Sequence, residues 1–137
     1  MKEMITYLNF DGHTRDAMRF YARCLGAELI LMPFSEAKVE VPPGAKDRII
    51  HAKLTKGSCV LMASDTLPGM PFQSGNNFSI CLNCESLEET ERFFTALAEN
   101  GKVTMPLQDT FWGARFGTLL DQFGVSWMFN FEKARSS

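Results

Sequence analysis

Acid–base chemistry near neutral pH would depend first on His51, one of the two histidines of this 137-residue sequence. It lies in the segment 49–54, whose apolar and polar residues favour a strand. Because imidazole titrates near neutrality, His51 is a candidate general base or hydrogen-bonding partner of a ligand. The alternative is a structural histidine that a neighbouring strand or a partner chain satisfies. The other histidine, His13, precedes the first predicted helix, where it would cap the helix or lie in a solvated loop.

The four cysteines are the next candidates, for thiol chemistry or metal binding. Cys81 and Cys84 have the C-x-x-C spacing, but they stand at the end of a strand-like run, whereas a redox motif of this kind usually opens a helix. A zinc site would need a second pair of ligands at suitable spacing, which the sequence lacks. We therefore interpret Cys24, Cys59, Cys81 and Cys84 as reduced thiols with a structural role.

The hydrophobic pattern predicts the elements that position these residues. The first half is predicted to contain strand 4–10, helix 14–25 and strands 27–33, 49–56 and 58–64. The second half is predicted to contain strand 77–83, a helix after Ser86 and strands 102–108, 113–120 and 125–131. Gly26 marks the end of the first helix, and Ser86 with Glu89 has the spacing of a capping box.

The two halves repeat each other at a constant offset. Phe20-Tyr21 recurs as Phe93-Phe94, and Met32-Pro33 recurs as Met105-Pro106, both 73 positions later. An offset that holds through strand, helix and next strand indicates an internal duplication.

The duplication predicts an α+β fold of two tandem βαβββ modules that form a curved mixed sheet around a cavity. We expect a single domain, 1–137, made of a module at 1–66, a linker at 67–74 and a module at 75–137. In each module one sheet face packs on the helix. The other face needs burial as well, so a ligand cavity between the modules is expected from the topology.

Charge and hydropathy exclude several classes of protein. The formal net charge is −2, so no basic excess exists to bind nucleic acid. No apolar stretch approaches the roughly 20 residues that a membrane-spanning helix needs, and the first residues do not have the pattern of a secretory signal. We expect a cytoplasmic protein that binds neither nucleic acid nor membrane.

Several motifs resemble those of one family. The sequence is similar to the PhnB-like branch of the vicinal oxygen chelate superfamily, also called the glyoxalase/bleomycin resistance/dioxygenase superfamily, whose fold is built from paired βαβββ modules. The segments that carry the resemblance are YLNFDG at 7–12, FY at 20–21, IHA at 50–52, LMASD at 61–65, GKV at 101–103, DTFWG at 109–113, FG at 116–117 and DQFGVSWM at 121–128.

The resemblance implies where a metal would be bound, since catalytic members hold a divalent ion with His, Gln or Glu from the first and last strands of each module. In this sequence Met128 and Met62 stand at the last-strand positions. The first strands offer Met4 or Thr6, and Asn77. A thioether is a poor ligand for these metals, so we expect neither a metal nor another cofactor. Family members also carry a ubiquinone-methyltransferase label, but the sequence has no glycine-rich loop of the kind that holds a nucleotide cofactor.

The function is expected to be binding of a small, partly apolar molecule in the cavity, by a homodimer. The candidate ligand-binding residues are His51, Met62, Asn77, Cys81, Phe111, Trp112 and Met128. For Phe111 and Trp112, which lie at a predicted turn, a pocket wall, a core position and a subunit interface all remain open. One alternative function is a glyoxalase- or dioxygenase-type enzyme, metal-assisted or with His51 as its base. A further alternative is a structural protein whose cavity is filled by side chains.

Overall fold

The computed structural model describes residues 1–38 and 40–133, and within them the chain separates into two compact units. The first unit spans Met1–Gln73 and the second spans Ser74–Ser137. Each unit contains one helix and one four-stranded sheet. The α+β class and the two βαβββ modules are therefore confirmed.

The first unit follows the predicted order of elements. Its elements are β1 (Thr6–Phe10), α1 (Thr14–Leu25), β2 (Glu28–Pro33), β3 (Ile49–Lys56) and β4 (Cys59–Asp65), with a 3₁₀ turn at Phe34–Glu36 after β2. The strand order in the sheet is β1-β4-β3-β2, with β1 and β4 parallel and the other pairs antiparallel. Gly26 ends α1 at φ 64°, a left-handed conformation that glycine adopts without strain.

The second unit repeats the arrangement. Its elements are β5 (Ile80–Asn83), α2 (Leu87–Leu97), β6 (Lys102–Asp109), β7 (Ala114–Leu120) and β8 (Ser126–Glu132). The strand order is β5-β8-β7-β6, and β5 and β8 form the parallel pair. The predicted strand at 77–83 is shorter than expected, because β5 begins only at Ile80.

Both cores lie between a helix and one face of its sheet. On α1 the residues at the predicted helical spacing are buried, and they pack on the alternate residues of β1, β3 and β4. The buried residues of this core include Ala17, Phe20, Tyr21, Leu8, Phe10, Ala52, Leu54, Leu61 and Ala63. In the second unit Phe93 and Leu97 of α2 are buried with Leu119, Trp127 and Phe129 of the sheet.

Two buried aspartates fix the connections between elements, one in each unit. The Asp65 carboxylate accepts hydrogen bonds from the backbone N–H groups of Gly12, Thr14 and Ile49, and from the Thr14 hydroxyl at 2.8 Å. This distant carboxylate satisfies the start of α1, where His13 stands at the N-cap but makes no capping hydrogen bond through its side chain. In the second unit Ser86 caps α2 as predicted, accepting from the Glu89 N–H at 3.0 Å.

Asp121 holds the turn between β7 and β8. Its carboxylate accepts from the N–H groups of Phe123 and Val125 and, at 2.7 Å, from the indole nitrogen of Trp127. Asp121 therefore stabilises this turn and the indole behind it. No helix in the described part of the chain is long and apolar enough to cross a membrane.

Candidate functional site

The candidate site of each unit is the sheet face that its own helix does not cover, which we call the helix-free face. Alternation along the strands divides each sheet into buried residues that face the helix and half-buried or exposed residues on the other side. In the first unit the helix-free face carries Tyr7, Asn9, Ile30, Met32, His51, Lys53, Met62 and Ser64.

Strand register sets these side chains in two rows across the first sheet. One row runs from Tyr7 to Met62, Lys53 and Ile30, each paired with the next through its Cα position. In the neighbouring row Asn9 pairs with Ser64 and His51 pairs with Met32. Since directly opposed residues in a sheet have Cβ atoms about 4.5–5.5 Å apart, the first row is a continuous strip of side chains.

A contact between Tyr7 and His51 joins the two rows. The Tyr7 hydroxyl and His51 Nδ1 share a hydrogen bond of 3.1 Å, and the two rings stack with their centroids 5.9 Å apart. The hydrogen bond and the stacking together hold the imidazole in one orientation. Thus the structure gives His51 a partner on β1, on the other side of β4, and the sequence pattern did not identify that partner.

The helix-free face of the second unit has the same layout with different chemistry. Met128 pairs with Cys81 on one side and Thr118 on the other, as Met62 pairs with Tyr7 and Lys53. Met62 and Met128 therefore occupy matching positions in the two sheets. Around Met128 the polar side chains hydrogen-bond to one another in pairs, which are Ser79 with Ser126, Asn83 with Asn130, and Thr104 with Thr118.

Three of the predicted ligand-binding residues lie away from the strands. Asn77 is exposed in a bend before β5. Phe111 and Trp112 lie in the turn between β6 and β7, with their ring centroids 4.9 Å apart and with 97% and 58% of their surfaces exposed. The core position considered for these two aromatics is therefore wrong, whereas their role in ligand binding stays a prediction.

The two cysteines of the second unit, Cys81 and Cys84, lie in surroundings that favour the protonated thiol. Burial raises the pKa of the Cys81 thiol, and burial is also the main cause of the raised pKa of Cys84. A raised pKa keeps a thiol protonated at neutral pH, and the thiolate is the form that attacks or binds a metal. This environment agrees with the interpretation of the C-x-x-C pair as reduced and structural.

The donor set at the superfamily's metal position does not fit a hard or borderline divalent ion. The last-strand positions hold Met62 in the first unit and Met128 in the second. The first-strand residues paired with them are Tyr7 and Cys81, whereas Met4 or Thr6, and Asn77, were expected. A thioether is a poor ligand for such a metal, and neither unit has the His, Gln or Glu of the superfamily at these positions. Within residues 1–38 and 40–133, no three His, Cys, Asp or Glu side chains come together as a metal site.

Comparison with known proteins places the chain in a family. A family model described as 3-demethylubiquinone-9 3-methyltransferase matches residues 2–129. A PhnB protein of Bacillus cereus has a similar structure, with a TM-score of 0.78 and 30% identity, over 95% of this chain and 99% of that one. The chain belongs to the PhnB-like family.

Two further relatives and one more distant solved structure are also similar to this chain. Protein PA1353 of Pseudomonas aeruginosa is 44% identical, with a TM-score of 0.90, over 98% of this chain and 100% of that one. Protein YjdN of Escherichia coli is 37% identical over 93% of each chain. A glyoxalase/bleomycin resistance protein/dioxygenase family enzyme from Burkholderia phytofirmans, 18% identical with a TM-score of 0.65 over 93% of this chain and 98% of that one, shares the fold.

Sequence reasoning missed Tyr7, Lys53 and Ser64 as residues of the His51 face. The spacing of His51 and Lys53, two apart on a strand, was a signal that they share a face. Tyr7 could not be found in this way, because its position beside β4 depends on pairing between segments more than 50 residues apart.

Proposed function

We propose that this PhnB-like protein binds a small, partly apolar molecule, without a metal ion, on the helix-free face of its sheets. The observation that carries the proposal is the mixed character of these faces. Each has a methionine at the same position within its parallel strand pair, with polar side chains around it. Flexible thioether side chains adapt to apolar ligands, and a few polar groups orient them.

Methyl transfer is not part of the proposal, although the family model carries that description. A nucleotide-type methyl donor would be expected to bind at a glycine-rich loop between a parallel strand and a helix. In this chain the connection from β1 to α1 has a single glycine, Gly12, and the Gly12 N–H already donates to the Asp65 carboxylate. The cavity between modules, the homodimer and the cytoplasmic location stay predictions from the sequence.

A thermal-shift screen of untagged protein tests the binding proposal. Neutral aromatic and carbonyl compounds, phenylacetamide and acetophenone among them, are expected to raise the melting temperature, because a ligand that binds the native state stabilises it by mass action. Met62→Gln and Met128→Gln should reduce the shift. If no compound raises the melting temperature, the proposal is wrong.

Metal analysis of the same protein tests whether binding takes place without a metal ion. Protein purified without a nickel column is expected to contain zinc, iron, manganese and nickel far below one ion per chain. A stoichiometric ion that survives dialysis would contradict metal-free binding, whatever the screen shows.

The contact between Tyr7 and His51 favours a second candidate function, proton abstraction from a carbon acid with His51 as the base. A hydrogen-bonded, oriented imidazole is a common general base. If His51 acts in this way, the protein should accelerate exchange of the methylene protons of phenylpyruvate in D2O, followed by NMR. His51→Gln should remove the acceleration. An equal rate with the variant or with buffer alone would exclude this function.

A further inference from the structure

We propose that the helix-free face of the first unit binds a small organic carboxylate, with the carboxylate at Lys53 and the Tyr7–His51 pair and the apolar part on Met62, Met32 and Ile30. The proposal rests on the binding function proposed above and names its ligand class. It is argued from three features of this face: an unpaired cation, donor hydrogens beside it and an exposed apolar strip.

Lys53 is the first feature. It lies at the centre of a row, between Met62 and Ile30, and so emerges among apolar side chains. In the described part of the chain no salt bridge is found for it, whereas Lys133 is 2.8 Å from Asp109 and Lys56 donates to the Leu25 carbonyl. Lys53 is half-buried as a residue, and its ammonium complements the charge of an organic anion.

The acidic residue of this face lies at its far end. Glu28 is exposed at the start of β2 and pairs with Thr55, one row beyond Lys53 and two rows beyond His51. Charge on the face is therefore separated along the strands. Lys53 and His51 lie in neighbouring rows, and the Glu28 carboxylate lies on the other side of Lys53. An anion is therefore favoured near His51 and disfavoured near Glu28.

The Tyr7–His51 pair supplies a donor hydrogen in each arrangement of its hydrogen bond. If the Tyr7 hydroxyl donates to Nδ1, the neutral imidazole carries its hydrogen on Nε2 and can donate it to a ligand. If Nδ1 donates instead, the tyrosine O–H is left for the ligand. A carboxylate only accepts hydrogen bonds, so it suits both arrangements.

The exposed apolar strip favours a ligand that carries an apolar group as well as a carboxylate. Met32 beside His51 and Ile30 beside Lys53 are 45% and 67% exposed, on the same face as the cation. Burying them against a flat hydrocarbon removes apolar surface from water, which favours binding. A small aryl carboxylate therefore matches both the charge and the apolar surface.

The helix-free face of the second unit serves as an internal comparison, because it has the same layout as that of the first. At the position of Lys53 it has Thr118, whose hydroxyl is already bonded to that of Thr104 at 2.6 Å, and the position of Tyr7 is held by Cys81. The carboxylate site is thus confined to one of two faces with the same layout.

Isothermal titration of the full chain with phenylacetate and with neutral phenylacetamide tests the inference at low salt and pH 7. We expect phenylacetate to bind more tightly than the amide. Lys53→Met should weaken phenylacetate binding by about tenfold, the order expected for one charge-assisted contact, and leave amide binding unchanged. Lys102→Met, which removes an exposed lysine from β6 in the second unit, is the matched control and should change neither.

Each other outcome has a definite meaning. If the amide binds as well as the acid, or if Lys102→Met weakens acid binding as much as Lys53→Met, the carboxylate inference is wrong and the broader binding function stands. If neither compound binds and the neutral screen is also negative, the binding function fails as well. If Ile30→Glu converts a dimer to a monomer in sedimentation velocity while phenylacetate has no effect, a second copy of the chain covers this face and the inference is overturned. Melting temperatures of the unliganded variants verify that each is folded.

Discussion

The two sheets have the same strand order and the same parallel pair, but their helix-free faces carry different chemistry. In the first unit Met62 lies between Tyr7 and Lys53, beside an imidazole that is held by Tyr7. In the second unit Met128 lies between Cys81 and Thr118, among neutral side chains that hydrogen-bond to one another in pairs.

The two units therefore share the same fold, but they differ in the side chains on their helix-free faces. Both helices keep their apolar stripe on the sheet, because each unit needs its own core. Residues on the helix-free faces carry no such packing requirement. Where the first face has Tyr7 and Lys53 on either side of its methionine, the second has Cys81 and Thr118, so the first unit is the better candidate for ligand recognition.

The largest expected effect concerns the buried carboxylate that joins the elements of the first unit. Asp65→Asn should lower the free energy of unfolding by about 4 kcal/mol, because the N–H groups of Gly12, Thr14 and Ile49 lose a buried charged acceptor. Urea denaturation measures the loss. Asp109→Asn, at an exposed carboxylate, is the control and should leave the free energy of unfolding close to that of the unmodified protein. Equal losses for the two variants would contradict the role of Asp65.

A somewhat smaller effect is expected from the buried indole of the second unit. Trp127→Phe removes the hydrogen bond to Asp121 and leaves unfilled volume in the core, so it should cost about 3 kcal/mol. Trp112→Phe, in the exposed turn, should cost less than about 0.5 kcal/mol. Urea denaturation followed by circular dichroism compares the two tryptophans, and a larger loss at Trp112 would mean that its turn is packed in solution.

The starts of the two helices are satisfied in different ways, and we expect this difference to change the free energy of unfolding by about 1 kcal/mol. Ser86→Ala removes the side-chain oxygen that caps α2 and should cost about that amount. His13→Ala, at the matching position of α1, should be close to neutral because the Asp65 carboxylate satisfies that end. Thermal unfolding of both variants measures this difference. A loss at His13 that matches the loss at Ser86 would refute the assignment.

The smallest effect concerns exposed carboxylates, of which each unit has one with a lowered pKa. Hydrogen bonds from Arg48 to Asp11 and from Lys133 to Asp109 are the main causes. A lowered pKa in the folded state stabilises the protein above the ordinary value of 3.8, and that contribution is lost as the pH falls through the lower folded value. NMR titration should find both carboxyl groups below 3.8, and in high salt both values should move toward it.

Local patterns predicted the elements, whereas the candidate site depends on pairing between distant segments. The stripe that includes Phe20 and Tyr21, the cap at Ser86 and the 73-residue offset gave the helices and the duplication, since each is a short-range periodic signal. Asn77 was placed on a strand that begins three residues later. The contact between Tyr7 and His51 was not predicted, because it requires the register of three strands.

Methionine methyl NMR tests the central claim most directly, because Met62 and Met128 are matched reporters on the two helix-free faces. Protein labelled with ¹³C at the methionine methyl groups would be titrated with phenylacetate, and the signals assigned with Met62→Leu and Met128→Leu. Our account predicts a saturable shift of the Met62 signal while the Met128 signal stays in place. A saturable shift of Met128 with an unmoved Met62 would contradict it.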